Sequence, residues 1–500
     1  MTVVVSIDAG TTGVRSMAVD PDGHVVVSRY REFPQYFPRP GWVEHDADEI
    51  WEAVAATLAD LMEGLDPGHG PIAAIGITDQ RETTVVWDRR DGRPLHRALV
   101  WQDRRTAERC EELIGAGHLD TVRNRTGLVL DPYFSATKLG WLFTDGGVAA
   151  GPGTLFGTID SWLIWRLSGG TAHVTDVTNA SRTLLFDIGR LAWDPELADL
   201  FGVPMSVLPE VGPSSGLLAS TAAGVVPGLP AGVPIGGVAG DQQAALFGQA
   251  CFEPGMTKNT YGTGSFVLMN VGPTRPEPVD GLLTTVAWGL GGTGPAQVTY
   301  ALEGAIFVTG AAVQWMRDGL GLITESAEIG PLAASVDDAG GAFFVPALTG
   351  LGSPWWDPHA RGTMVGLTRG VGRAQLARAT VEAMAFQTAD VVASMTASSG
   401  QDLTELRVDG GASVMDFLLQ LQADVLGVRV CRTAVADTTA LGAAFLAGLA
   451  VGVWESPADI AALWAADGTA EPAPAPNPGG VTYDGWRRAV GRALGWSDGS

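Results

Sequence analysis

Three glycine-rich turns, each directly after a run of strand-forming residues, are the parts of this sequence best suited to hold phosphate groups. They span residues 8–12, 260–265 and 409–411. Glycine lets a backbone approach an anion closely, and successive backbone N–H groups in such a turn can donate to it. Any one of these turns alone could be an ordinary loop. Because they are divided between both halves of the chain, together they indicate a nucleotide held in a cleft between two domains.

Two aspartates and an arginine beside these turns could carry phosphoryl-transfer chemistry. Asp241 follows the apolar run 233–238, where a carboxylate is either the N-cap of the next helix or a base that faces a cleft. The residues alone leave both readings open. Asp8 could hold Mg²⁺ directly or through water. Arg15 could offset the negative charge of the carboxylates and of bound phosphates, or be a surface charge at a strand end.

Other candidate residues have a plainer interpretation when they are considered one at a time. Arg81 and Glu82 are adjacent opposite charges, which are usually a solvated surface pair. Trp101 and Phe266 are large aromatic residues, which are most often part of an apolar core.

The order of apolar runs predicts two α/β domains, because strand, glycine turn and helix recur in both halves of the chain. A domain boundary is predicted near residues 245–255, where Pro254 and Gly255 interrupt the pattern. The predicted units are residues 1–250, 251–455 and a C-terminal tail, 456–500, that contains a proline-rich spacer. Strands are predicted at 3–7, 15–19, 25–27, 72–78, 233–238, 259–263, 266–269 and 405–408, and helices at 46–62, 381–393 and 440–451.

Composition excludes several classes of protein. The net charge of −24 repels the phosphate backbone, so nucleic acid is not an expected partner. The chain has only two lysines, Lys138 and Lys258, and neither follows a glycine, so a P-loop is absent. No G-x-G-x-x-G opens a helix near the N-terminus, which disfavours a dehydrogenase. Three dispersed cysteines, no signal peptide and no convincing membrane span predict a cytoplasmic protein.

Longer runs of residues resemble the FGGY family of carbohydrate kinases over residues 3–455. The runs that carry this resemblance are 40–46, 75–84, 131–135, 174–183, 239–248, 258–264 and 300–304. The resemblance implies two actin-like ATPase domains of the ribonuclease H-like type with an interdomain cleft. It also implies ATP and Mg²⁺ as cofactors. Within the family, the polyol-site residues are similar to those of members that phosphorylate glycerol.

The resemblance also implies roles for particular residues. Asp241 would be the general base, acting with Asp8 and Arg15 in catalysis, and Asp8 and Asp241 would hold the metal. The residues expected to bind the polyol are Arg81, Glu82, Trp101, Tyr133, Asp241, Gln242 and Phe266. Those expected near the nucleotide are Thr11, Thr12, Gly13, Arg15, Thr263, Gly264, Gly310, Gln314, Gly411 and Met415.

Departures from the family pattern fall on the nucleotide side. Ala9 stands where a Gln is usual, Gly13 where a Ser is usual, and Met415 where an Asn normally meets the adenine. These departures keep open a catalytically impaired nucleotide-binding regulator as an alternative. Another FGGY polyol or sugar kinase, for erythritol or a pentulose, is the nearer alternative.

Regulation is expected to be reduced. Residues 223–234 contain neither the Arg of a fructose 1,6-bisphosphate loop nor a phosphorylatable His, so neither control is expected. A homodimer or homotetramer is expected by analogy with the family.

Overall fold

The computed structural model describes residues 2–291, 297–473 and 483–497. Its strands are β1 (Val3–Ala9), β2 (Gly13–Val19), β3 (Val25–Glu32), β4 (Glu44–His45), β5 (Ile72–Asp79), β6 (Val85–Asp88), β7 (Ala98–Leu99), β8 (Thr154–Gly157), β9 (Val174–Asp176), β10 (Phe186–Asp187), β11 (Ala192–Trp193), β12 (Glu210–Gly212), β13 (Ser215–Ser220), β14 (Pro234–Gly240), β15 (Met256–Tyr261), β16 (Ser265–Gly272), β17 (Leu283–Leu290), β18 (Gln297–Ile306), β19 (Phe343–Val345), β20 (Thr363–Val365), β21 (Glu405–Gly410), β22 (Val430–Thr433) and β23 (Ala466–Ala470). Its α-helices are α1 (Ala47–Gly64), α2 (Ala107–Gly115), α3 (Leu119–Thr126), α4 (Ser135–Thr144), α5 (Ile159–Leu167), α6 (Val177–Ala180), α7 (Pro195–Phe201), α8 (Asp241–Gly248), α9 (Gly310–Gln314), α10 (Ile329–Ala334), α11 (Arg373–Ser399), α12 (Asp416–Leu426), α13 (Thr438–Ala450), α14 (Pro457–Leu463) and α15 (Tyr483–Ala493).

Five strands of the first half form a mixed sheet in the order β3-β2-β1-β5-β14. β2 is antiparallel to both β1 and β3, whereas β1, β5 and β14 run parallel to one another. The residues of β1 are almost all buried, because its β-branched side chains pack on both faces of the sheet.

The second half repeats this pattern with β18-β16-β15-β21-β22. Here β16 is antiparallel to both β15 and β18, and β15, β21 and β22 run parallel. The two halves therefore have the same strand order and the same directions, which confirms the prediction of two related α/β domains. β13 and β17 join the halves into one thirteen-stranded sheet through the single pair Ser215–Leu290.

Helix α13 packs at the junction of the two halves. It follows β22 of the second half, yet it lies on β1, β5 and β14 of the first half and against α8. Close approach is possible because glycines face it: Gly76 on β5, Gly237 on β14 and Gly248 on α8. The helix that begins with Asp241 is therefore held in place by a helix from the other half of the chain.

Most predicted elements are present, with longer bounds. Asp46, the first residue of the predicted helix 46–62, is the N-cap of α1, and its side chain accepts a hydrogen bond from the N–H of Asp48. Glu49 accepts a hydrogen bond of 2.8 Å from the Tyr36 hydroxyl. Helix α11 extends over 27 residues, far beyond the predicted 381–393, because polar residues at both ends, 373–378 and 394–399, interrupt the apolar pattern.

Two long stretches of the sequence without charged residues, 211–240 and 438–454, were the candidates for membrane spans. The first contains most of β12 and all of β13 and β14, and the second contains the buried helix α13. Among the described residues, no helix combines the length and apolar character that a membrane span needs. Most of the proline-rich spacer lies outside the described residues. The tail ends with α15, whose Trp486 donates to Asp390 of α11 at 2.7 Å.

The contact between α8 and α13 predicts the effect of adding one methyl group. A Cβ at Gly442 would overlap the carbonyl oxygen of Ala244, so Gly442→Ala must push the two helices apart. We expect a loss of about 3 kcal/mol in the free energy of unfolding, measured by urea denaturation. Gly491→Ala in α15 is the matched control, since nothing lies within 4 Å of its Cβ position. This control should be neutral or stabilising by about 0.5–1 kcal/mol. Equal stability of the two variants would contradict the close packing described for α8 and α13.

Candidate active site

The candidate site lies at the carboxyl ends of three parallel strands of the first half. Asp8 is near the end of β1, Arg81 and Glu82 follow β5, and Asp241 follows β14. The strand register sets Asp8 opposite Thr78, and Gly240 opposite Asp79. Since the carboxyl ends of parallel strands meet at one edge of the sheet, side chains from distant parts of the sequence converge there.

Arg81 is the centre of this site. Its Nε lies 3.1 Å from Oδ1 of Asp241, its Nη1 lies 2.5 Å from Oε2 of Glu303, and its Nη2 lies 3.3 Å from the Tyr133 hydroxyl oxygen. The side chain of Arg81 is 2% exposed and that of Glu82 is 1% exposed. The residue-by-residue reading of Arg81 and Glu82 as a surface pair is therefore wrong, because burial brings both into contact with charges from distant segments.

Arg81, Glu82, Arg182 and Glu303 form what we call the buried charge cluster. Arg182 Nε lies 2.7 Å from Glu82 Oε1, and Arg182 Nη2 lies 2.9 Å from Glu303 Oε1. Two guanidinium groups and two carboxylates thus alternate in a region closed to water. Burial alone would raise the pKa of Glu303, but Arg182 and Arg81 hold it at about 2. The pKa of Glu82 is raised, since burial outweighs the two arginines there.

Arg182 and Glu303 were not singled out from the sequence. Both lie in runs that carry the family resemblance, 174–183 and 300–304. A charge inside an otherwise weakly charged run was the available signal. The sequence alone did not show that these charges belong to the site, because this requires knowing that β18 of the second half lies next to the loop after β5.

Glu82 has an unusual backbone conformation, with φ at 63°. This left-handed region costs a non-glycine residue about 1 kcal/mol and is tolerated where the surroundings impose it. Here the carbonyl oxygen of Glu82 accepts hydrogen bonds from the Ser135 and Thr84 hydroxyls at 3.0 and 3.2 Å. These bonds fix the peptide, so the Glu82 carboxylate is directed at Arg182.

The two aromatic residues expected beside the polyol differ in their surroundings. The rings of Trp101 and Tyr133 meet edge to face at 5.5 Å between centroids. Trp101 Nε1 also donates to Thr11 Oγ1 at 3.0 Å, so it joins the polyol residues to the first glycine turn. Phe266 of β16 is half-buried against the apolar cluster that contains Phe247. It lies on the same face of the sheet as Glu303, two residues along the pairing of β16 with β18.

Asp241 is the first residue of α8, and the cap position is taken by Gly240. Oδ1 of Asp241 accepts from the N–H of Gln242 at 2.7 Å and contacts Arg81. The side chain is 31% exposed, unlike the buried charge cluster. Asp241 is therefore held by one oxygen and remains open to the cleft.

Asp8 is a half-buried carboxyl group whose pKa is raised to about 7. Burial is the largest cause, and the charges of Asp241 and Asp437 add to it, while Arg15 opposes it. Arg15 Nε lies 3.3 Å from Oδ1 of Asp437 at the start of α13, and its guanidinium lies 5.5 Å from the centroid of Tyr30. Asp437 is a charged neighbour of the phosphate turn that the sequence analysis missed, because it lies more than 400 residues away along the chain.

A cavity of about 650 Å³ opens in the second half beside the turn 260–265. This volume is typical of small-molecule and cofactor sites. Gly310 must be glycine, since a Cβ there would lie 2.6 Å from the Gly262 carbonyl oxygen. Five residues expected near the nucleotide line the cavity: Thr263, Gly310, Gln314, Gly411 and Met415.

The remaining nucleotide candidates lie in or next to the turns rather than in the cavity wall. Thr11 and Thr12 lie in the β1–β2 turn, and Gly13 and Arg15 lie in the first residues of β2; across the turn, the N–H of Gly10 donates to the Gly13 carbonyl oxygen at 3.0 Å. In the other turn, the Gly264 carbonyl oxygen accepts from the N–H of Gly262 at 2.8 Å. The two sets of candidates therefore belong to different halves of the chain.

The raised pKa of Asp8 predicts a pH-dependent stability. Below pH 7 the folded protein keeps Asp8 protonated, whereas the unfolded chain ionises it above about pH 4, so ΔG of unfolding falls as the pH rises through this window. Asp8→Asn removes this dependence. The variant should therefore gain about 2.5 kcal/mol relative to wild type on going from pH 5 to pH 8 in metal-free buffer, measured by urea unfolding. If the free energy of unfolding of Asp8→Asn differs from that of wild type by the same amount at both pH values, the effect does not arise from titration of Asp8.

The chain is similar to known proteins over nearly its whole length. The family model of the FGGY carbohydrate kinases matches with its N-terminal domain at residues 3–248 and its C-terminal domain at 257–451. The glycerol kinase of Dechloromonas aromatica is 54% identical over 499 residues, covering 99% of this chain and 98% of that protein. Glycerol kinase 2 of Thermotoga maritima is 52% identical over 500 residues, covering 99% of both.

Solved structures show the same relationship. The crystal structure of Plasmodium falciparum glycerol kinase with ADP superimposes with a TM-score of 0.92 at 34% identity, covering 99% of this chain and 98% of that one. The gluconate kinase of Lactobacillus acidophilus, at 23% identity and a TM-score of 0.86 over 98% of this chain and 96% of that one, shares the fold. On the family model and the full-length relatives together, the chain belongs to the FGGY family of carbohydrate kinases, whose two domains have the actin-like ATPase fold.

Proposed function

We propose that this chain phosphorylates glycerol with ATP to give sn-glycerol 3-phosphate, as a glycerol kinase. The observation that carries the proposal is the contact of Arg81 with Asp241, Tyr133 and Glu303 at the carboxyl edge of the first sheet. These contacts gather a carboxylate base and polyol-binding groups at one place. The relatives of more than 50% identity that are named glycerol kinases support the same substrate.

Asp241 is proposed as the general base. Among the described residues, its polar contacts are made by Oδ1, to Arg81 and to the N–H of Gln242. Oδ2 is therefore the oxygen that takes the proton of the attacking hydroxyl, while Oδ1 keeps the carboxylate in place. A base positioned in this way contributes about 10²–10⁴-fold to the rate.

The polyol is proposed to lie between the buried charge cluster and the aromatic residues. Arg81 supplies a charged donor and Glu82 a charged acceptor, which suits two neighbouring hydroxyl groups. Tyr133 and Gln242 complete the polar contacts. The remaining surface is apolar, with Trp101 and Phe266 against the carbon skeleton.

ATP and Mg²⁺ are proposed as cofactors, since the residues fit both. Asp8 near the end of β1 and Asp241 after β14 lie at the same edge of the sheet, and the charge of Asp241 helps to raise the pKa of Asp8, so two interacting carboxylates are available for a divalent cation. A bound Mg²⁺ would neutralise negative charge on the phosphates. Thr11, Thr12, Gly13 and Arg15 on one side and Thr263 and Gly264 on the other are proposed to bind the phosphates. The ribose and adenine are assigned to Gly310, Gln314, Gly411 and Met415.

The proposed biological setting follows from the reaction and the family. We place the enzyme in glycerol catabolism in the cytoplasm, where ATP is available, and propose that it assembles as a homo-oligomer, as relatives in the family commonly do. The three cysteines are buried free thiols, consistent with a reducing compartment.

A substrate panel with ATP and Mg²⁺ tests the proposed reaction. In a coupled assay of ADP release, glycerol should give the highest kcat/KM among glycerol, erythritol and pentuloses. Asp241→Asn should lower kcat by about 10³-fold, because the amide cannot accept the proton. Asp22→Asn, at an exposed turn, is the control and should retain wild-type turnover. A preference for a four- or five-carbon substrate would refute the assignment to glycerol.

Replacing Met415 by Asn is expected to strengthen the binding of ATP. Met415→Asn restores an amide at the cavity wall, and one added hydrogen bond to the base should lower KM for ATP by about 3- to 10-fold. The KM for glycerol should not change, because glycerol is proposed to bind in the other half. Met205→Asn, at an exposed methionine outside the cavity, controls for unspecific effects. An unchanged KM for ATP in Met415→Asn would remove Met415 from the adenine site.

A further inference from the structure

Lys258 is a buried lysine between the two halves of the site. Its side chain is fully buried, and it lies on β15, the central strand of the second half. The Nζ of Lys258 donates to Oε1 of Gln242 and to Oγ1 of Thr260, the latter at 3.0 Å. Gln242 belongs to α8 of the first half, and Thr260 opens the glycine turn of the second. One ammonium group therefore joins the polyol side of the site to the phosphate turn.

The chemistry of an ammonium group fixes the orientation of the Gln242 amide. A charged lysine has three donors and no acceptor, so Gln242 can meet it only with its oxygen. The amide NH₂ of Gln242 is then turned away from Lys258. The backbone N–H of Gln242 donates to Asp241 Oδ1 at 2.7 Å, so the residue that Lys258 holds is also bonded to the proposed base.

The groups around Lys258 do not fully compensate the cost of burying its charge. Asp409 on β21, Asp241 on α8 and Glu303 on β18 are the negative groups that face it, and Arg81 is the positive one. Burial is the largest influence and lowers the pKa of Lys258 to about 8. Its two hydrogen-bond acceptors are neutral oxygens. A buried cation bonded only to neutral groups is costly, which favours a functional reason for its presence.

We propose that Lys258 is a positioning residue for the polyol, which it serves by holding the Gln242 amide with its NH₂ group facing the substrate. The inference rests on the proposed function, in which Gln242 contacts the polyol. The inference adds which group donates in that contact: the NH₂ group of Gln242 donates the hydrogen bond, and the substrate oxygen must accept it. The proton of that hydroxyl is then left for a carboxylate of the site. Without the ammonium group, the amide is free to turn and present either end.

A double-mutant cycle in the full-length enzyme tests this role. Lys258→Met keeps the length of the side chain and removes its charge. It should raise KM for glycerol by about 10- to 100-fold and change KM for ATP by less than about 3-fold. Gln242→Ala should raise KM for glycerol by a similar factor. If Lys258 acts through Gln242, Lys258→Met in the Gln242→Ala background should add less than about 3-fold.

Two results would overturn the proposal. The first is a multiplicative loss in the double variant, which would mean that Lys258 acts independently of Gln242. The second is a fall in kcat with no change in KM for glycerol, as expected of a general structural defect. If Lys258→Met does not fold, Thr260→Val replaces it in the cycle. This change removes the other anchor of the ammonium group, and its effect on KM for glycerol should also disappear in the Gln242→Ala background.

The result of the double-mutant cycle can be distinguished from the result of the substrate panel. If the wild-type enzyme prefers another polyol, the assignment to glycerol fails, and the same cycle is measured with the preferred polyol. The expected non-additivity is unchanged, since it concerns only the hydroxyl that meets Gln242. If glycerol is preferred and the cycle is additive, the proposed function stands and the role of Lys258 is refuted.

Discussion

The guanidinium group of Arg81 is buried, so its charge must be balanced by nearby carboxylates, while the same group also contacts the residues of the candidate site. Its Nη atoms contact Glu303, Gln243 and Tyr133, and its Nε contacts Asp241. Breaking a buried ion pair by removing one partner typically costs 3–5 kcal/mol. Because Arg81 comes from the first half and Glu303 from β18 of the second, the buried charge cluster is complete only when both halves are packed together. The packing of the two halves against each other thus also completes the proposed polyol site.

The junction behind Asp241 depends on close helix packing. Helix α13 lies against α8 and against β5 and β14, with glycines at the points of contact. Asp241 is the first residue of α8, so a small shift of this helix moves the carboxylate directly. Asp437, just before α13, contacts Arg15 of the phosphate turn at 3.3 Å. Helix α8 therefore positions the proposed base, Asp241, and helix α13 positions Arg15 through its contact with Asp437.

Local sequence predicts the elements here better than it predicts their partners. The apolar run 3–7, the helical pattern 46–62 and the glycine turn 409–411 indicated β1, α1 and the end of β21 correctly, because each signal is local in the sequence. The environment of Arg81 and Glu82 was not predictable in this way. Arg81 contacts Glu303, 222 residues away, and Glu82 contacts Arg182, 100 residues away. Adjacent opposite charges look solvated until the fold places further charges around them, and only the family resemblance assigned these two residues to a site.

Electrostatic cost is concentrated where ligands are proposed to bind. The protein carries a net charge of −24, yet the site is proposed to bind a triphosphate. Asp8 has its pKa raised to about 7 by burial and by neighbouring carboxylates, and Lys258 has its pKa lowered to about 8 by burial. Both shifts mean that the surrounding protein disfavours the charged form of each group. A divalent cation near Asp8 would favour its ionised form, and an anionic phosphate near Lys258 would favour its charged form. Each proposed ligand would therefore offset part of the cost of burying the group of opposite charge.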